Sequence, residues 1–327
     1  MEASPDARES GSSGILDRIP LRFVVGTTAS GKSGLALRLA RHPRVLSAGG
    51  VELVSLDSMN LYRGMDIGTA KPAAADLAAV PHHLVDVAEP SERFDLQRYL
   101  GLVESACLEI ESKGRSPLFV GGTGLYLASI LRGLFQGPPA DHDLRERLRL
   151  ESESGAKPSL HERLRAVDPD SAERIHSNDT RRTLRALEVW HQTGVTMTAL
   201  QQEWRAETSP RETRARIVGL DVDVERLDER IRSRTDAMLD AGWAEEALRL
   251  ESAGGLGPSA SQALGYDTAL LLGRGELTRE EAAQAIALRT RQFARRQRTW
   301  YRKFDVRWID AAADDVLDLA LEALDFS

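Results

Sequence analysis

The chain is 327 residues long, 42% hydrophobic, 28% charged and 5% aromatic. That suits two domains, or one α/β domain with a large insertion, and excludes a disordered or fibrous protein. The formal net charge of −7 argues against indiscriminate coating of nucleic acid but leaves room for a local basic groove. A single cysteine, Cys107, excludes a disulfide framework and a multi-cysteine zinc site within one chain, so any metal is expected on oxygen or imidazole.

No apolar run approaches the ~18 residues that a membrane helix requires. The Ser/Gly-rich stretch Met1 to Asp17 lacks the basic and apolar regions of a signal peptide, so a cytoplasmic protein is expected. Residues 1–20 read as a flexible leader without a periodic apolar face. The fold begins at Leu21-Arg-Phe-Val-Val25, a β-forming run, followed by Gly26-Thr27-Thr28-Ala29-Ser30-Gly31-Lys32-Ser33 and then by a helix with apolar Leu35, Leu37, Leu39 and Ala40. Further strands are expected at 51–56, 83–87 and 117–120, the last entered from a long helix over 96–113. Alternating strands and helices imply a largely parallel sheet.

After Gly137-Pro-Pro139 the pattern becomes helical to about Arg205, without a convincing strand. A strand returns at 215–220, helices follow, and a last short strand is expected near 306–309. The organisation read from these patterns is a leader (1–20), an α/β core (21–138 and 206–327) and a helical insertion (139–205). Of the 43 basic residues only five are lysines; the arginine excess suits phosphate recognition, although a GC-rich coding bias gives the same excess. Arg289 to Lys303 holds seven positive charges and no acid, and Asp310 to Asp325 six acids and no base.

The segment Gly26 to Ser33 satisfies the full phosphate-binding loop pattern, and it leaves a strand and opens a helix as that motif requires. Its backbone N–H groups would cradle phosphate oxygens at a helix N-terminus, Lys32 would span terminal phosphates and the Ser33 hydroxyl would contact Mg2+. Asp57, just past the second strand, falls at the sheet edge where ligands bind; it serves either the chemistry or, with Ser58, a turn cap. His82, His83, His161 and His176 have no spacing that groups them on a metal, and Cys107 and the five tryptophans read as packing.

Ser55 to Pro72 (Ser-Leu-Asp-Ser-Met-Asn-Leu-Tyr-Arg-Gly-Met-Asp-Ile-Gly-Thr-Ala-Lys-Pro) resembles the tRNA dimethylallyltransferase (isopentenyl-tRNA transferase) family. The resemblance continues in order through Pro81-His82-His83-Leu84, Val120 to Tyr126, Asp168-Pro169, Arg174 to Asp179, Arg182 to Glu188, Gln262 to Tyr266 and Arg295-Arg296-Gln297-x-x-Trp300. It implies a P-loop nucleoside-triphosphatase-like core with a helical insertion, and transfer of the five-carbon group of dimethylallyl diphosphate to the exocyclic amine of the adenine 3′ of the anticodon, position 37, with Mg2+. It implies that Asp57 is the catalytic aspartate, that Thr123 holds the reacting end of the tRNA, and that Arg145 contacts tRNA. It further implies tRNA contacts at Asp57, Ser58, Met59 and Asn60, at Arg181, Arg182, Thr183, Leu184 and Arg185, and at Gln262, Gly265 and Tyr266. Arg230 is a diphosphate candidate, with Arg234 fitting the same spacing.

Three departures stand out: Thr27 where the family usually has proline, Asn60 where many members carry glutamine, and Asp267 where a basic residue is common. The expected partners are tRNA, gripped at its anticodon stem-loop, and dimethylallyl diphosphate, with no membrane and a monomeric state. The 289–303 run is either a further tRNA grip or a solvated helix face. The competing readings are an adenylate isopentenyltransferase acting on free AMP, a P-loop kinase or NTPase, and a silent tRNA-binding protein. The 174–188 motif argues against the first, and the joint presence of Lys32, Asp57 and Thr123 against the last.

Overall fold

The computed structural model describes residues 14–134, 137–155, 157–206 and 209–326, leaving aside the side chains of 142 and 203–206. Six strands, β1 (Arg22–Gly26), β2 (Val51–Leu56), β3 (His82–His83), β4 (Ser116–Gly121), β5 (Arg216–Asp221) and β6 (Arg307–Asp310), form one sheet in the order β3-β2-β4-β1-β5-β6. Every pairing is parallel. The four inner strands are near-continuous apolar runs, as sheets covered on both faces require. Val24 lies between Val120 and Val218, and Phe23 stacks on Phe119 with centroids 4.9 Å apart. The helices Lys32–Ala40 and Val316–Ala323 contribute Leu35, Leu39, Ala320 and Leu321 to one buried cluster with the strands.

The chain divides into two compact units. One runs to Leu131 and resumes at Pro210; it holds the sheet. The other, Arg132–Ser209, consists of the helices His142–Glu153, Leu160–Val167, Pro169–Arg174, Thr180–Thr193 and Met197–Ala206 around a small core that includes Leu148, Leu164, Leu187 and Val189. Aspartates 141, 168 and 179 cap its helices, and Ser159 with Glu162 forms a capping box. No helix among the described residues is long and apolar enough to cross a membrane.

Two expectations need correction. Of the leader, residues 1–13 lie outside the described residues, but Ile15–Arg18 is a short helix that buries Ile15 and Leu16, the following Ile19 is buried too, and Arg211 grips Asp17 at 2.6 and 2.8 Å. Three apolar residues within five suffice to anchor the segment. The expected strand at 83–87 stops at His83, because Leu84 (φ +62°) and Asp86 (φ +56°) take left-handed backbone that ends an extended run.

Candidate active site

Strands β2, β4 and β1 are neighbours, and the three candidate chemical elements leave their carboxyl ends side by side. The phosphate loop follows β1, Asp57 follows β2 and Thr123 follows β4. All three line a cleft of about 1150 Å³, where ligands bind open α/β sheets.

The phosphate loop turns into the Lys32–Ala40 helix through Gly31, whose φ of +98° is left-handed backbone that glycine adopts without penalty. The Lys32 ammonium folds back to donate to the Thr27 carbonyl at 3.1 Å. Burial pulls its pKa down to about 8, with Asp57 opposing that fall and Arg234 adding to it. The Ser33 hydroxyl lines the cleft and has no hydrogen-bond partner among the described residues. It is a hard oxygen donor at the helix start, of the type Mg2+ accepts. No cluster of three or more His, Cys, Asp or Glu residues that would hold a metal by itself occurs among the described residues.

The two diphosphate candidates differ. Arg230 directs Nη1 to the carbonyls of Ser30 (3.1 Å) and Ala29 (3.5 Å), bracing the loop. Arg234 reaches the Thr28 hydroxyl at 3.4 Å, and burial lowers its pKa while the Asp57 carboxylate supports the charge.

Asp57 both caps its turn and keeps an oxygen for chemistry. Its Oδ1 accepts the N–H groups of Met59 (2.8 Å) and Asn60 (3.4 Å), while Oδ2 accepts no hydrogen bond from the described residues. Thr123 is fixed against the same turn: its N–H donates to the Leu56 carbonyl at 3.0 Å, and its hydroxyl oxygen accepts the Ser58 N–H at 3.2 Å. That approach requires glycine at 121, where a Cβ would lie 2.4 Å from the Leu56 carbonyl oxygen. The side-chain oxygen of Asn60 is buried with no partner among the described residues, which leaves an acceptor for a bound N–H group.

One residue central to this geometry was not anticipated. Gln297 is buried; its Oε1 accepts the Thr28 N–H and its Nε2 donates to the Gly122 carbonyl, both at 2.8 Å. It thereby joins the phosphate loop to the residue before Thr123. The signal was present in the sequence: Gln297 shares the buried stripe Ile286, Ala294 and Tyr301 of the Arg279–Tyr301 helix, where a polar residue must find partners.

The arginine-rich face of that helix is largely compensated by acids from elsewhere. Arg289 pairs with Asp267, Arg291 with Asp228 and Arg298 with Asp221, so Asp267, the departure noted above, restrains an arginine at the cleft. Arg295, Arg296 and Arg302 have no carboxylate partner among the described residues, and Arg296 lies over the Phe293 ring. Gln262 lines the cleft and donates to the Pro258 carbonyl. Tyr266 is a correction: it is 3% exposed and gives its hydroxyl proton to Glu246 at 2.7 Å, which makes it an internal strut rather than a contact surface. Gly265 likewise faces inward, since a Cβ there would lie 2.5 Å from the Trp243 ring.

In the helical unit, Arg145 and Arg185 both bind the buried carboxylate of Glu188, at 2.8 and 2.5 Å. Arg182 is exposed and 3.5 Å from Asp179, and Arg181 belongs to the same helix. Thr183 is a second correction: it is 1% exposed and its hydroxyl bonds the Asp179 carbonyl, while Leu184 packs on the unit's core. Residues 181–185 span more than one helical turn, so all five do not share a face. Among the histidines, His83 binds Glu52 and His161 binds backbone carbonyls.

Residues 60–304 match the model of the IPP transferase family. The tRNA dimethylallyltransferase of Symbiobacterium thermophilum is 43% identical over 94% of this chain and 94% of its own length, and that of Salinispora tropica 44% identical over 92% and 91%. The full-length tRNA isopentenylpyrophosphate transferase of Bacillus halodurans superposes with a TM-score of 0.66 at 34% identity, covering 94% of this chain and 97% of that one. A eukaryotic dimethylallyltransferase acting on tRNA gives a TM-score of 0.70 at 27% identity over 90% and 74%.

Proposed function

The chain belongs to the IPP transferase family, and we propose that it transfers the dimethylallyl group of dimethylallyl diphosphate to the N6 amine of the adenine immediately 3′ of the tRNA anticodon, position 37, releasing diphosphate. Its activity is that of a tRNA dimethylallyltransferase, a prenyltransferase. The observation that carries the finer reading is the convergence of the phosphate loop, Asp57 and Thr123 in one cleft, with Oδ2 of Asp57 uncommitted.

The geometry supports this division of labour. The loop N–H groups and Lys32 stabilise the charge that develops on the departing diphosphate, usually the largest electrostatic requirement of such a displacement. Arg234 joins them, because Arg230 is engaged with the loop carbonyls. Mg2+, when bound, neutralises diphosphate charge, and the Ser33 hydroxyl would help to hold it. The adenine amine is a weak nucleophile, since its lone pair is delocalised into the ring. Oδ2 of Asp57 orients the amine and takes its proton as the N–C1 bond forms and the C1–O bond breaks, the electron pair leaving with diphosphate. Thr123 places its hydroxyl beside the amine, its oxygen already satisfied by Ser58. The target base must leave its stack to reach this cleft. The exposed arginines of the helical unit and of the Arg279–Tyr301 helix would set register on the phosphates of the anticodon stem-loop, in the cytoplasm where tRNA matures.

Incubation with labelled dimethylallyl diphosphate and, separately, unmodified tRNA, AMP or ATP tests the reading. Label in tRNA at the adenine next to the anticodon is expected. Label in AMP alone, or ATP hydrolysis without prenyl transfer, overturns it.

A further inference from the structure

One wall of the cleft is built by an element to which no role has yet been given. Gly68, Thr69 and Ala70 line it, and a single carboxylate fixes the turn from beneath. Glu246, in the Trp243–Ser252 helix, is 1% exposed. Its Oε2 accepts the N–H groups of Asp66 (3.0 Å) and Ile67 (2.8 Å); its Oε1 accepts the N–H of Gly68 (3.2 Å) and the Tyr266 hydroxyl (2.7 Å). Four donors fill the roughly four lone-pair sites of a carboxylate. From the other side, the Lys71 ammonium donates to the Tyr62 carbonyl and to Asp66 and Asp86.

Between these restraints Ala70 holds φ at +50°, a conformation that an L-residue keeps only where its surroundings over-determine it. Gly68 admits no side chain, because a Cβ would lie 2.1 Å from the Trp243 indole nitrogen and 2.6 Å from the Tyr266 ring. The wall is therefore thin, rigid and preformed. Among the described residues no hydrogen bond joins it to the phosphate loop, so the two parts of the cleft are supported independently.

We infer that Glu246 is a positioning residue for the tRNA half of the reaction: it holds residues 66–70 as the surface against which the unstacked RNA base seats, and Tyr266 acts through it. This rests on the reading of tRNA as the substrate. It accounts for the presence of both the Asp66 to Lys71 block and the Gly265-Tyr266 pair, which are joined at this carboxylate.

The test uses the full chain with Glu246→Gln, which retains size but places an amide among N–H donors, and Tyr266→Phe, which removes one hydroxyl. Steady-state kinetics with each substrate varied, calorimetry with inorganic diphosphate and thermal melting are measured together. Glu246→Gln is expected to raise the KM for tRNA about tenfold, the scale of one lost hydrogen bond to a charged group, with kcat and diphosphate affinity nearly unchanged. Tyr266→Phe is expected to shift the same constant in the same direction by a smaller factor. An unchanged KM for tRNA in the folded variants overturns the inference, as does an equal loss of diphosphate affinity, which would mark general loosening. If Glu246→Gln fails to fold, Tyr266→Phe decides by the same criteria. Failure of the wild-type protein to prenylate tRNA would instead remove the functional reading itself.

Discussion

The backbone N–H of Ser58 donates to the hydroxyl oxygen of Thr123 across 3.2 Å, tying the end of β2 to the end of β4. The Thr123 hydroxyl proton meets no acceptor among the described residues, so it is available to a substrate. The same turn is capped by Oδ1 of Asp57, so both side chains are held against one backbone segment.

Asp57→Asn keeps an oxygen to cap Met59 and Asn60 but removes the proton acceptor. Turnover in a single-turnover label-transfer assay should fall by ~10²-fold or more, with melting temperature unchanged. A variant that turns over normally would sink the assignment of Asp57.

Gln297→Leu leaves the Thr28 N–H and the Gly122 carbonyl without their partner. Each buried group left unpaired costs about 1–3 kcal/mol, so with two such groups denaturant unfolding should report a loss of roughly 2–6 kcal/mol together with lower turnover. Gly122→Ala should act similarly, since its Cβ would lie 2.2 Å from Nε2 of Gln297.

Lys32 yields a pH prediction of definite sign. Burial depresses its pKa from 10.5 to about 8 in the folded chain, so between those values the unfolded chain binds more protons and this residue's contribution makes stability rise with pH. Below pH 8 the charged lysine is a folding liability retained for binding. Lys32→Met should therefore raise the melting temperature at pH 7 while removing diphosphate affinity, and wild-type diphosphate affinity should weaken as pH rises past 8. Melting curves and calorimetry check both.

Glu188 anchors the helical unit. Burial alone would raise its pKa, but hydrogen bonds from Arg145, Arg185 and the Asp141 N–H hold it below the ordinary carboxylate range. Its contribution is present above the usual glutamate pKa and is lost as pH falls through the depressed value. Glu188→Ala should cost about 3 kcal/mol, the lower end for breaking a buried pair because both arginines are partly exposed. Acid unfolding followed by circular dichroism should then show a weaker dependence on pH as carboxylates protonate.

Binding of tRNA should weaken steeply with salt if Arg295, Arg296 and Arg302 meet phosphates. Replacing all three with glutamine should reduce the log–log salt slope by about 2–3, near 0.7–0.9 per phosphate contact. An unchanged slope would return that face to solvent.

The sequence was most legible where a signal is local. The phosphate loop, the apolar strands and the strandless stretch after Pro139 each follow from neighbours within a few residues, and the structure has them close to the expected bounds. What it hid depends on partners far along the chain. Tyr266 looked like a contact because nothing nearby shows that Glu246 will take its hydroxyl. The run from Arg289 to Lys303 looked uniformly cationic because Asp221, Asp228 and Asp267 lie well outside it. The short β3 depended on backbone angles at Leu84 and Asp86 that composition does not encode.

The pairing of β1 bears on how the protein emerges during synthesis. The strand that feeds the phosphate loop lies between β4 and β5, so one of its partners starts at Arg216, and its first residue, Arg22, also donates to the Leu324 carbonyl. At roughly 5–20 residues per second, a ribosome leaves that apolar strand without its second neighbour for on the order of ten to forty seconds. The nascent chain carries this apolar strand early and shelters it late, which makes the N-terminal third the segment that a chaperone would hold.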